Sequence, residues 1–107
     1  MPASPLMDKS LEGLIIALCA DFDRRQAAIT EKALPKRVLL EYKFLNLRIL
    51  EGAMEVVGIN SAKQFIDDIG ARRGYAKSGV DWMSEPTYKT KKANAKLAIA
   101  KKLSLIK

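Results

Sequence analysis

The stretch PKRVLLEYKFLNLRILEGAMEVVG, Pro35 to Gly58, decides the fold. Val38, Tyr42, Leu45, Ile49, Ala53 and Val56 recur at the spacing of one face of an α-helix. Pro35 cannot continue a helix arriving from Ala33 and Leu34, but it is well suited to begin one. Gly58 suits the left-handed residue that closes a helix, and Ile59 is placed for the apolar contact that often follows such a cap. A helix over 35–57 is therefore predicted. Leu39, Leu47, Leu50 and Met54 widen its apolar surface beyond one stripe, so the helix needs a second partner, either later helices or another subunit.

Upstream, Ser10 is a candidate N-cap with Glu12 in the first turn. Leu11, Leu14, Ile15, Leu18, Phe22 and Ile29 repeat at helical spacing. Two long helices joined by a short connection predict an antiparallel hairpin over 10–57. Residues 1–9 read as a flexible N-terminal segment. Downstream, NSAKQFIDDIG offers Asn60 or Ser61 as an N-cap for a short helix, with Phe65, Ile66 and Ile69 inward and Gly70 near its end. Residues 71–83 carry Gly74, Ser78 and Gly79, and Tyr75, Val80 and Trp82 are expected to plug this connector onto the core. Ser84 is the next N-cap, followed by Glu85, Pro86 and a basic helix to about Leu103. The expectation is an all-α fold: a long hairpin, a short helix and a basic C-terminal helix, in a single domain over 10–107.

Composition narrows the chemistry. The chain has 107 residues, one cysteine (Cys19) and no histidine. That excludes an internal disulfide, a Cys/His zinc site and a histidine general base. Cys19 reads as a small buried hydrophobe. Asp67 and Asp68, adjacent on a helix, point about 100° apart and make no metal site. No enzyme, metal or cofactor is implied. LIIALCA, Leu14 to Ala20, is too short to span a bilayer, and the first ten residues lack a signal-peptide layout, so a cytoplasmic protein is expected. So short a chain buries little surface alone, which suits a homodimer.

The net charge of +7 is uneven. Residues 1–70 carry nine Lys/Arg and ten Asp/Glu, whereas residues 71–107 carry ten and two. The excess after residue 70 points to a polyanion. Tyr88, Ala95, Ile99 and Leu103 form one stripe of the last helix; Lys89, Lys92 and Lys96 line one border, and Lys91 and Lys102 the other. Lysines beside an apolar stripe also occur on solvated helices, where their stems cover the core edge. The apolar stripe is too thin and alanine-rich for a membrane-surface helix. Hydroxyls and lysines concentrated in the first turns suit a helix that offers its N-terminal residues to DNA. On that reading Lys89, Lys91, Lys92 and Lys96, with Arg72 and Arg73, contact phosphates, while Thr87 and Tyr88 approach bases. The rival reading is a non-catalytic adaptor whose basic helix binds an acidic protein. A fragment of residues 1–83 is expected to keep helical structure, as an oligomer that hides the face left by Ile99 and Leu103, and to lose DNA binding.

Ser84, Thr87, Tyr88, Lys92, Ala93, Leu97, Ala98 and Leu103 resemble the closing helix of sigma-factor region 4, and still more the small phage regulators of the autolysin-regulator and RinA type. The resemblance covers chiefly residues 61–107. It implies an all-α, cytoplasmic, sequence-specific regulator of phage genes, with double-stranded DNA and the transcription machinery as partners. The helix-turn-helix would be the third and fourth predicted helices, with an enlarged turn over 71–83.

Overall fold

Phe22 follows Ala20 after a single interrupted residue, and that break sets the architecture. The computed structural model describes residues 8–106, and its regular elements are all helices, with no strand among these residues. The elements are α1 (Lys9–Ala20), α2 (Phe22–Glu31), α3 (Lys36–Val57), α4 (Ile59–Gly70), the single turn α5 (Tyr75–Ser78) and α6 (Glu85–Lys102). The segment expected at 1–9 lies outside the described residues as far as residue 7. Asp8 and Lys9 are ordered parts of α1. Asp8, not Ser10, is the N-cap, and its carboxylate accepts from the Leu11 N–H at 2.7 Å.

The first arm of the expected hairpin is thus two helices. Asp21 caps α1, and the chain turns before α2. The buried Arg25 guanidinium donates to the Leu18 carbonyl, and its Nε donates to Asn46 Oδ1 on α3 at 2.8 Å. Asn46 Nδ2 in turn donates to the Phe22 carbonyl at 3.1 Å. This polar knot fixes the bend and satisfies carbonyls that a buried break would otherwise leave unpaired. As a result α2 packs on α3, as a hairpin requires, while α1 swings away to pack on α4 and touches α6.

α3 runs as expected from a Pro35 N-cap to Gly58, whose φ of 81° lies in the region that favours glycine. Gly58 also starts α4, one or two residues ahead of the Asn60 or Ser61 cap expected. That tight junction leaves Ile59 71% exposed, so the apolar contact expected of it is not made. Trp82 is likewise exposed, and Leu14 is largely exposed, whereas Val80 and Tyr75 do pack.

The core gathers Ile15 and Cys19 from α1, Ile49 and Ala53 from α3, Ala62, Ile66 and Ile69 from α4, and Ala95, Ile99 and Ala100 from α6. α6 is its centre and makes its largest contact with α3. A Cβ on Gly52 would sit 2.7 Å from the Ile99 Cα, so the two backbones touch there. α1 and α4 meet in the same way, where a Cβ on Gly70 would fall 2.7 Å from the Ala20 nitrogen. Small residues at both crossings let the helices approach to backbone contact. The basic helix is therefore core, and removing it uncovers Ile49, Ala53 and Ala62, a face that a fragment of residues 1–83 would have to cover in another way.

Candidate nucleic-acid interface

Two local devices position the cationic residues. Ser84 caps α6 in extended backbone; its Oγ accepts from the Thr87 N–H at 3.4 Å and donates to Thr87 Oγ1 at 3.0 Å. At the other side, α4 is closed by a left-handed Arg72, with φ of 56°. The Arg73 N–H returns to the Asp68 carbonyl at 2.9 Å, the six-to-one bond of a Schellman-type cap. That closure aims the segment 72–73 at the side of α6.

Beneath it lies an anionic hub that sequence reasoning missed. Asp68 is fully buried. Its Oδ2 accepts from the Tyr88 hydroxyl at 2.8 Å and its Oδ1 from Gln64 Nε2 at 3.1 Å. Arg73 Nε lies 3.3 Å from Oδ1, close enough to pair electrostatically but not aligned as a hydrogen bond. Gln64 Nε2 also donates to the Ser78 carbonyl at 2.8 Å, so the hub ties α4, α6 and the connector together. Tyr88 packs between Phe65, tilted against it at a centroid distance of 5.3 Å, and Tyr75, edge-on to it at 5.5 Å. Burial and the Asp68 carboxylate both raise the Tyr88 phenol above its ordinary pKa.

Tyr88 is therefore structural. Its ring is 1% exposed, and the approach to bases expected of it is closed by the aromatic cluster. Thr87 and Lys89 remain on the surface, Lys89 with its Nζ 3.0 Å from Glu85 on the same helix. Lys91 sits on the opposite border, its Nζ 3.5 Å from the Val56 carbonyl of α3. The remaining four converge. Lys92 Nζ donates to the Arg73 carbonyl at 2.5 Å and lies 5.9 Å from the Tyr88 ring. Lys96 Nζ donates to Glu12 Oε2 on α1 at 2.6 Å. Arg72, Lys92, Lys96 and Glu12 line a pocket of about 210 Å³ floored by Ile16 and Ile69.

The electrostatics of this pocket are lopsided. Glu12 is held below the usual carboxylate range, first by its bond with Lys96 and then by the charges of Lys96, Arg72 and Lys92. Lys92 is pushed down from the ordinary lysine value, mainly by burial and then by Lys96. Three cations thus border one carboxylate at the pocket wall, and the charge of Lys96 adds to burial in lowering the basicity of Lys92. Arg72 forms no ion pair among the described residues. Among those residues, too, no three His, Cys, Asp or Glu gather as metal ligands, and no helix is long and apolar enough to cross a membrane.

The signal for Asp68 was present in the sequence. It falls within the face marked by Phe65 and Ile69, an odd place for an acid without a partner. Nothing local could have paired Glu12 with Lys96 across the chain. Set beside known proteins, the chain matches no family model, no curated protein and no solved structure.

Proposed function

We propose that the protein binds double-stranded DNA, chiefly through phosphate, on the surface where the end of α4 meets α6. The observation that carries this reading is the set of three cations, Arg72, Lys92 and Lys96, gathered on one pocket against the single carboxylate of Glu12. A phosphate entering there gains charge-assisted hydrogen bonds and relieves repulsion between the lysines. Arg72 adds a second support. It occupies a left-handed position that glycine fills without strain, yet it presents a guanidinium beside that pocket.

With Tyr88 buried, the exposed polar residues of α6, Thr87, Thr90 and Asn94, lie about 120–180° around the helix from Lys92 and Lys96, so the contact at this surface is with phosphate. The regulatory, phage-type role implied by the resemblance, in the cytoplasm and without catalysis, belongs to the same proposal. The short helix, extra turn and capped basic helix follow the order such a motif requires.

The test is binding to duplex DNA from the protein's own locus across a salt series. Four or so phosphate contacts give a log–log slope of about −4. Arg72→Gly is the informative variant, because glycine suits that backbone: binding should weaken while thermal stability holds or rises. Tight binding indifferent to salt, or Arg72→Gly binding as well as the parent, refutes the reading.

A further inference from the structure

Leu40, Phe44 and Leu47 of α3 are 55%, 52% and 54% exposed, although they belong to the helix that anchors the core. Their spacing of four and three residues puts them on one stripe, about 180° around from Ile49. Beside Phe44 a broad hollow of about 440 Å³ is lined by Leu40, Glu41, Phe44 and Leu45. Arg48 rests on the outer side, its guanidinium carbon 5.0 Å from the Phe44 ring centroid. A monomer gains nothing by holding three large apolar side chains in a row in water.

The charges along this face are ordered. Lys36 and Arg37 stand at its N-terminal end, and Glu51 continues the stripe at its C-terminal end. Arg37 and Glu51 lie seven residues either side of Phe44, roughly 10 Å each way at the helical rise. A second copy laid antiparallel, with Phe44 on the two-fold axis, brings Arg37 opposite Glu51 twice and packs Leu40 near Leu47. A parallel copy would set Arg37 against Arg37 and Glu51 against Glu51. An isologous contact of this kind is self-complementary, as closed two-fold dimers require.

We infer that α3 is a homodimer interface, paired antiparallel with α3 of a second copy about Phe44. The face is distinct from the cationic pocket, so this dimer stands or falls independently of DNA binding. With three large apolar side chains from each copy at its centre, the contact is expected to be weak, with a dissociation constant in the micromolar range.

Sedimentation equilibrium on the full chain, from about 1 to several hundred micromolar, is expected to show a monomer–dimer equilibrium. Phe44→Glu should give a monomer throughout, with the far-ultraviolet helical signal retained. Orientation is tested by charge exchange: Arg37→Glu and Glu51→Arg should each weaken the dimer tenfold or so, and the double variant should recover most of that loss. A parent chain that is monomeric at the highest concentration overturns the inference, as does a dimer insensitive to Phe44→Glu. Recovery absent from the double variant overturns the antiparallel pairing.

Discussion

Gly52→Ala adds one methyl group at the tightest crossing in the molecule, and its cost can be worked from the structure. The new Cβ would lie 2.7 Å from both the Cα and the nitrogen of Ile99 and 2.9 Å from the Ala98 carbonyl carbon. All three are backbone atoms of α6, so no side chain can swing aside. Restoring ordinary contact requires α3 and α6 to part by about 0.7–1 Å, and a gap of that size forfeits roughly a quarter to a half of each dispersion contact nearby. Ala53, Ala95, Ile99 and Ala100 flank the crossing with no exposure to lose. Overpacking of this sort costs about 1–3 kcal/mol, against which alanine recovers nearly 1 kcal/mol of helix propensity. The net loss is about 0–2 kcal/mol, and the melting temperature should fall by up to roughly 15 °C rather than rise. Thermal denaturation followed by circular dichroism measures it. Gly13→Ala is the matched control. Gly13 is also mid-helix, but a Cβ there meets nothing within 4 Å, so stability should rise by about 0.5–1 kcal/mol. If both variants shift the melting temperature upward alike, helix propensity alone governs and the close crossing is wrong.

Tyr88→Phe deletes a hydrogen bond to a fully buried carboxylate and should cost about 1.5–3 kcal/mol in chemical denaturation; a loss under 0.5 kcal/mol would remove Asp68 from its place as the hub. Cys19, pushed up to about 12 by burial, should react with a thiol reagent at pH 8 only as fast as the chain opens, and reaction at the rate of a free thiol would contradict its burial. Glu12 has a folded pKa below its unfolded one, so its pairing with Lys96 stabilises above the ordinary carboxylate range and is lost as pH falls through the depressed value. The stability gap between the parent and Glu12→Gln should therefore be largest near neutrality and close in acid; a gap constant across the titration rules out the ion pair as its source.

α3 was legible because its boundaries are local. Pro35 and Gly58 each impose a backbone conformation on their own, and Ser84 does the same for α6. The break at Asp21 was not legible, since the apolar period runs through it and no glycine or proline marks it. What fixes it is tertiary: Arg25 turning back on Leu18 and across to Asn46. The depth of α6 escaped for a related reason. Tyr88, Ala95, Ile99 and Leu103 read as a thin, alanine-rich stripe when apolar size is the measure, yet small residues such as Ala95 and Ala98 are what permits α6 to lie against the Gly52 backbone. Helical spacing placed Lys89, Lys92 and Lys96 on one border of α6, but spacing cannot reveal counter-charges. Glu12 lies 84 residues from its partner Lys96, and Tyr88 read as a surface hydroxyl only until Asp68 supplied its buried acceptor.

The burial of α6 also bears on how the protein is made. The helices it packs against precede it in the chain, so as synthesis proceeds α1 to α4 emerge with the seat for Ile99 still empty. Until that residue clears the ribosome, α3 shows water two apolar sides at once: the inner one around Ile49 and Ala53, and the outer one of Leu40, Phe44 and Leu47. Neighbouring nascent chains on one message are then the nearest surfaces able to cover either side. A ribosome that pauses late in this message would expose a sticky intermediate, and chaperone occupancy should peak just before the alanines of α6 are released.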